Sequence, residues 1–330
     1  MRIAWIGWHK LRDDVARTRG MELCYIRPPV DRGPMTWPDV LEHTGWTPDL
    51  LVYADASMSP PLVGLESFPC PTLFLCIDSH IQHWYPIYAQ AFDLCTVSLR
   101  DHLPRFGLRL GVDKLRWLPP TPNPGDASAD EVKEWDLLFV GNVNPQTMPG
   151  RHAFLAEVAR LFPSLHVTHG AYRTFYPRAR LVLNVAERGD LNFRVFEALG
   201  CGSCLLTPAI EHGQEELFRN GRELFTYPLG DAAGLVRLAE RLLADEPLCR
   251  RVSAAGLAAV DARHRPQHRA RELLDWLAGF DLPALAAERL RQSRTIHKDF
   301  LRPIFLHWAE ALDGSELARI FLNAAKRRPR

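Results

Sequence analysis

Long apolar runs are missing from this 330-residue chain. No stretch approaches the roughly 18 uninterrupted apolar residues that span a membrane, so no transmembrane segment is expected. Charge of one sign is missing as well. The 40 Lys and Arg against 39 Asp and Glu leave a formal net charge of +1, which argues against nucleic acid as a partner. The opening residues, MRIAWIGWHKLRDD, lack the longer apolar core and small-residue cleavage site of a secretory signal. The cysteines number seven, an odd count, and Cys24, Cys76 and Cys95 sit in apolar runs; a reducing, cytoplasmic location is expected rather than a disulfide framework. Two phosphate-binding fingerprints are also absent. The run at residues 2–8 ends in Gly7-Trp8-His9-Lys10, and the run at 135–140 continues into Gly141-Asn142-Val143-Asn144. Neither has the second glycine of G-x-G-x-x-G, and no Walker A sequence occurs, which sets aside dinucleotide and ATP sites of the usual kind.

What is present is alternation. Strand patterns at residues 2–8, 21–26, 50–53, 72–77, 93–98 and 115–118 are separated by helical ones at 11–19, 37–43, 80–91 and 99–106. Residues 119–130, PPTPNPGDASAD, have no apolar period and read as a linker. The alternation then restarts, with strands at 135–140, 165–168, 181–185, 204–207 and 223–227 and helices between and after them. Such a chain is expected to form an α/β protein of two Rossmann-like, doubly wound domains facing a cleft at the carboxyl ends of their sheets. The expected boundaries are residues 1–120 for the first domain, 121–134 for the linker and 135–279 for the second domain. A helical tail at 280–330 would be free to pack back on the first.

Residues 181–207, LVLNVAERGDLNFRVFEALGCGSCLLT, hold the densest functional pattern. An apolar strand gives way to a loop with Gly189, Asp190 and Asn192, then to a helix closed by Gly200 and Gly202. Asn192 and Arg194 therefore sit at a helix N-terminus, where unpaired backbone N–H groups favour an anion, and Glu197 follows one turn later. An Arg for phosphate and a carboxylate for sugar hydroxyls is the pairing of a nucleoside-diphosphate site. Alternatively, Arg194 is a surface residue and Glu197 solvates its helix.

Five other features compete for roles. The loop at 141–151 follows a strand, offers Asn142 and delivers Arg151 at a helix start, as a phosphate loop or as a plain connection. Cys201 and Cys204 form a CxxC, but no second ligand pair lies nearby, and small residues in a tight turn explain it better than zinc or redox chemistry. Asp78 and His80 follow an apolar strand and could act on an acceptor hydroxyl; capping of the next helix is the equal alternative. His80 and His83 have a metal-like spacing without a third ligand. Glu211 and Glu216 begin a further segment that could meet sugar hydroxyls or simply favour a helix dipole. The terminal KRRPR reads as a solvated tail, with weak membrane contact as the lesser use.

The run Asn192-Phe-Arg194-Val-Phe196-Glu197-Ala-Leu-Gly-Cys201-Gly202, followed by Leu205-Leu206-Thr207, resembles the signature of CgeB-like (spore maturation protein) glycosyltransferases of the group 1 family, which have the GT-B fold. Residues 135–141, 181–184 and 217–223 match in order, and the likeness covers roughly residues 70–275. It implies a glycosyltransferase moving a sugar from a nucleotide-diphosphate donor, as co-substrate, to an unidentified acceptor (small molecule, glycan or protein), with retention of configuration. The first domain would then be the acceptor domain and the second the nucleotide-sugar domain. Donor-binding candidates are Asn142, Arg151, Asn192, Arg194 and Glu197, with Glu197 on the donor ribose; catalytic candidates are Asp78 and His80. The wider retaining set has another Glu eight positions before that carboxylate. Here the position is Gly189, which leaves Glu187, Asp190 and Glu211 as candidate sugar contacts. No D-x-D motif occurs in the cleft segments, so neither a metal nor another cofactor is implied. The alternatives are a nucleotide-sugar epimerase or hydrolase on the same fold, or a non-catalytic glycosyltransferase-like binding module.

Overall fold

The structure is a computed structural model in which residues 1–7, 10–28 and 33–329 are described. The chain divides into two units, Met1–Pro119 with Ala270–Arg330, and Pro120–Arg269.

Six parallel strands build the first unit: β1 (Arg2–Ile6), β2 (Glu22–Ile26), β3 (Leu50–Ala54), β4 (Thr72–Cys76), β5 (Leu94–Val97) and β6 (Leu115–Trp117). Their order in the sheet is β2-β1-β3-β4-β5-β6. Every residue of β3 and β4 is buried, as continuous apolar runs require in a sheet covered on both faces. Side chains alternate between two cores. Ala4, Leu51, Tyr53 and Phe74 pack with Ile304, Phe305 and Phe321 on one face. On the other, Ile3, Trp5, Val52 and Leu73 pack with Leu273 and Leu277. The last sixty residues thus supply both cores of the first unit, and the division falls at Arg269 and Ala270 rather than at 279. Arg289 fastens them. It is wholly buried, donates to both Asp93 carboxylate oxygens at 3.0 Å, and reaches the carbonyls of Leu65, Phe68 (2.9 Å) and Cys70 (2.7 Å).

The second unit has five parallel strands: β7 (Trp135–Val140), β8 (Leu165–Thr168), β9 (Ala179–Leu183), β10 (Leu205–Pro208) and β11 (Phe225–Tyr227). They are ordered β11-β10-β9-β7-β8. From β7 the chain moves to β8 on one side, then returns to β9 on the other. The crevice between the carboxyl ends of β7 and β9 is therefore the topological switch point, where open α/β sheets take ligands.

Several expectations change. Residues 120–134 belong to the second unit instead of linking two domains, because Asp126 is buried and bonded. It accepts from Tyr172 Oη at 2.8 Å and from Arg173 Nε at 2.6 Å, while its carbonyl accepts from Arg265 Nη1 at 2.6 Å. The helix expected over 80–91 shrinks to Tyr85–Tyr88 and a 3-10 turn, Ala89–Ala91, since 78–82 closes as a turn on the Asp78 carbonyl. The helix expected over 211–220 is only Gln214–Leu217, preceded by His212 and Gly213 at positive φ. β1 ends at Ile6, and Trp8 and His9 lie outside the described residues, as does Arg330. No helix among the described residues is long and apolar enough to cross a membrane.

Candidate functional site

Arg194 stands in the first turn of the helix Phe193–Gly200, whose buried face of Val195, Phe196 and Leu199 fixes its rotation. The side chain folds back over the sheet edge rather than into solvent. Its Nε donates to the carbonyl of Val140 at 3.2 Å, at the end of β7, and its Nη1 donates to Asn184 Oδ1 at 3.1 Å, just past β9. The guanidinium therefore bridges the two strands that define the switch point. Asn184 is itself held, its Nδ2 donating to Thr207 Oγ1 at 3.0 Å.

A second guanidinium lies beside the first. The helix Pro149–Leu161 delivers Arg151, whose Nη1 donates to the carbonyl of Asn142 at 3.0 Å. Both cations sit over the ring of buried Phe139, Arg194 at 5.2 Å and Arg151 at 5.9 Å from its centroid. A ring face attracts cations by about 0.5–1 kcal/mol, and by about 2 when desolvated. Burial first, and the charge of Arg194 second, push the Arg151 pKa below its ordinary value. Neither arginine forms an ion pair with a carboxylate among the described residues, and Arg151 Nε is buried with no hydrogen-bond partner. Two like charges on one ring are costly to hold unless an anion neutralises them.

Gly141 makes room for this arrangement. A Cβ there would fall 2.9 Å from Arg194 Nη2 and 3.0 Å from the Phe139 ring. The loop after it is set by Asn142 Oδ1, which accepts from the Asn144 amide at 2.9 Å. Its backbone carbonyl, rather than its side chain, is what Arg151 touches.

The remaining candidates separate into groups. Glu187 Oε1 accepts from the Gly150 amide at 2.9 Å, placing a carboxylate at the start of the Arg151 helix, while Oε2 is buried without a partner. A pocket of about 170 Å³ opens there, lined by Arg151, Phe154, Glu187, Tyr227 and Leu229. Asn192 precedes the Arg194 helix with extended backbone, but its side chain makes no capping bond and its Oδ1 is buried unpartnered. Asp190 lies in the turn between Glu187 and that helix. Gly189 has φ +70, a left-handed conformation that a Glu would occupy only under strain. Glu211 is exposed in the turn after β10 and bonds to none of the other candidates. Glu197 Oε1 accepts from Asn123 Nδ2 at 3.2 Å, and Asn123 also donates to Tyr172 Oη. Asn123, Asp126 and Tyr172 were missed in the sequence because a Pro-rich composition hid two polar side chains that dock inward. Cys201 and Cys204 are buried free thiols, and burial pushes Cys201 up to about 12, so neither is a ready nucleophile.

Asp78 and His80 belong to the other unit, half-buried past the end of β4. The Asp78 amide donates at 2.7 Å to Asp55, a carboxylate that sequence reasoning did not single out. Asp55 also accepts from Ile77 N at 3.0 Å, Ser57 N at 2.8 Å and Tyr85 Oη. Burial, then the charge of Asp78, raises its pKa above the usual carboxylate range. It ties the loops after β3 and β4 together and so positions Asp78. Its only sequence signal was its place at the end of an apolar strand.

Residues 129–275 match a family model described as "Glycosyl transferase-like". No curated protein matches the chain by sequence. Among solved structures, Anabaena HepE in complex with UDP-glucose is similar over 85% of this chain and 100% of its own, at 13% identity and a TM-score of 0.63. Sucrose-phosphate synthase from Thermosynechococcus elongatus is similar over 84% and 98%, at 14% identity and a TM-score of 0.60. TarM matches 69% of this chain at 7% identity and a TM-score of 0.51, and the match spans about half of TarM, 54% of its length. At such identities the structures speak for the fold, and the family match speaks for the unit that carries the paired arginines. Residues 129–275 are thus similar to the glycosyl transferase-like family, and the chain has the two-sheet GT-B fold of these neighbours.

Proposed function

We propose that the protein transfers a sugar from a nucleoside-diphosphate donor to a hydroxyl acceptor. The observation that carries this is the pair Arg151 and Arg194, two guanidinium groups on one ring at the switch point of the second sheet, unpaired with any carboxylate among the described residues. Their charges suit a diphosphate, and each charge-assisted hydrogen bond is worth about 1.5–3 kcal/mol. The start of the Phe193–Gly200 helix adds about 0.3–1 kcal/mol. Glu197 is the proposed ribose contact, and Glu187 with the adjoining pocket the proposed contact for the sugar or base.

In the proposed reaction the bond from the anomeric carbon to the diphosphate oxygen breaks and a bond to the acceptor oxygen forms. Negative charge grows on the leaving diphosphate, and the arginines, already in place, stabilise it more than they stabilise the intact donor. That electrostatic role needs no metal. In a retaining course the leaving phosphate oxygen takes the acceptor proton; in an inverting one Asp78 or His80 would take it. UDP-sugars come first as donors, because HepE is similar in fold and its structure holds UDP-glucose.

The test is a panel of UDP-, GDP-, CDP- and dTDP-sugars, read by thermal shift and by slow release of free sugar in the presence of EDTA. One nucleotide class should stabilise the protein and lose its sugar, and Arg194→Ala should abolish both effects while the protein still melts cooperatively. A silent panel would favour a binding module. An epimerised sugar nucleotide, or hydrolysis that no acceptor diverts, would favour the epimerase or hydrolase.

A further inference from the structure

A second cationic site lies in the first unit and has no part in the reading above. A groove of about 860 Å³ is lined by Arg294, Lys298 and Arg302 on one side and by Lys326, Arg327 and Arg328 on the other. The first three recur every four residues along Ser293–Ile296, a π-helical turn, His297–Leu301, and Arg302–Ala311, so they fall on successive turns about 6 Å apart. The second three follow the helix Glu316–Ala325, and Arg294 Nε donates to the Pro329 carbonyl at 3.3 Å, joining the two walls. All six side chains are exposed, and none forms an ion pair among the described residues. Six unpaired cations in a chain of net charge +1 are a segregated patch, not a sample of the surface.

Leu306 and Leu322 also line it, 41% and 39% exposed, two of the few large apolar side chains left in water among the described residues. No Phe, Tyr or Trp lines the groove. Grooves that track single-stranded nucleic acid stack its bases on exposed aromatic rings; here the His297 imidazole in the lining is buried beside Glu66, and aliphatic carbon is what the groove exposes. Cations that can reach phosphate, beside leucines that can reach acyl chains, are the composition of a peripheral contact with an anionic bilayer.

We propose that this groove docks the protein on membranes rich in anionic phospholipid. The phosphates take the six cations, and Leu306 and Leu322 enter the headgroup boundary. Each cation near such a surface contributes about fivefold to partitioning. Replacing three should therefore weaken it by about two orders of magnitude.

The experiment is co-sedimentation of the full-length protein with phosphatidylcholine vesicles containing 0 to 40% phosphatidylglycerol (about that range, chosen to span weak and strong surface potential), at low and high salt. Binding should rise with phosphatidylglycerol and fall with salt. The variant Arg294→Gln/Lys298→Gln/Arg302→Gln should lose about a hundredfold in partitioning, with its thermal unfolding little changed, because all three side chains are exposed and the bond lost, Arg294 Nε to the Pro329 carbonyl, is an exposed one next to the chain end. Leu306→Ser/Leu322→Ser should weaken binding while leaving its salt dependence intact. Equal binding to pure phosphatidylcholine, or wild-type partitioning in the triple variant, would overturn the proposal. So would retention by heparin or single-stranded DNA with no vesicle binding. Should the triple variant fail to fold, the phosphatidylglycerol and salt series on the wild type decides.

Discussion

Arg194 shows what one side chain can reveal and what its sequence cannot. Its residue type and place at a helix start pointed to an anion site, but its partners, Val140 and Asn184, lie 54 and 10 positions away and emerge only when β7 and β9 pair. Gly141 carries the sharper test because it contributes no charge. Its absent Cβ leaves the space that Arg194 Nη2 and the Phe139 ring occupy. Gly141→Ala should push the guanidinium off the ring and weaken nucleotide binding by about tenfold, or ~1.4 kcal/mol, with little change in the melting temperature. Equilibrium titration of the nucleotide identified by the panel reads this directly. Unchanged affinity would mean that the guanidinium finds its place without the gap.

At the scale of elements, strands were the most legible part of the chain. Their apolar runs are continuous because both faces of each sheet are covered, and β3 and β4 stand where the pattern placed them. Short helices were not. Periodicity over 80–91 and 211–220 suggested full helices, whereas turn geometry at Asp78, His212 and Gly213 leaves only short pieces. The Pro-rich stretch misled in the other direction, since composition reports the lack of a period and is blind to Asp126 reaching Tyr172 and Arg173.

The join between the helices Glu246–Arg263 and Pro266–Leu277 contains a pH-sensitive group. His264 is buried against Phe196 and Phe218, with Arg269 Nη2 2.7 Å from its Nδ1. Burial, reinforced by Arg269 and Arg263, lowers its pKa to about 3. The unfolded chain therefore binds a proton between about pH 6.5 and pH 3 that the folded chain refuses. Its contribution to stability is complete above about pH 6.5 and is lost as pH falls, by roughly 2 kcal/mol at pH 5. Urea unfolding at pH 7 and pH 5 should show that loss in the wild type and a smaller one in His264→Gln.

At the scale of the whole molecule, the chain leaves its first unit at Pro119 and returns to it at Ala270. Two series of alternating strands made the two sheets legible. The return was harder to read, because a helical period does not name its partner. Arg289 is the side chain that settles it, and an Arg in an amphipathic helix gives no sign of burial beside Asp93. Arg289→Ala would leave that carboxylate buried and uncompensated, at a cost of about 3–5 kcal/mol. Denaturant unfolding followed by tryptophan fluorescence should show the first unit destabilised by that amount, with nucleotide binding by the second unit kept. Retained stability would mean that apolar packing of the last sixty residues suffices.

The central claim is that Arg151 and Arg194 together hold a diphosphate. Isothermal titration of the nucleoside diphosphate and its monophosphate, against wild type, Arg151→Ala, Arg194→Ala and the double variant, tests it most directly. The account predicts that the diphosphate binds more tightly than the monophosphate. Each single variant should lose about 10- to 100-fold for the diphosphate, corresponding to ~1.5–3 kcal/mol, and the double variant should bind both nucleotides equally weakly. Diphosphate affinity that survives loss of both arginines would contradict it.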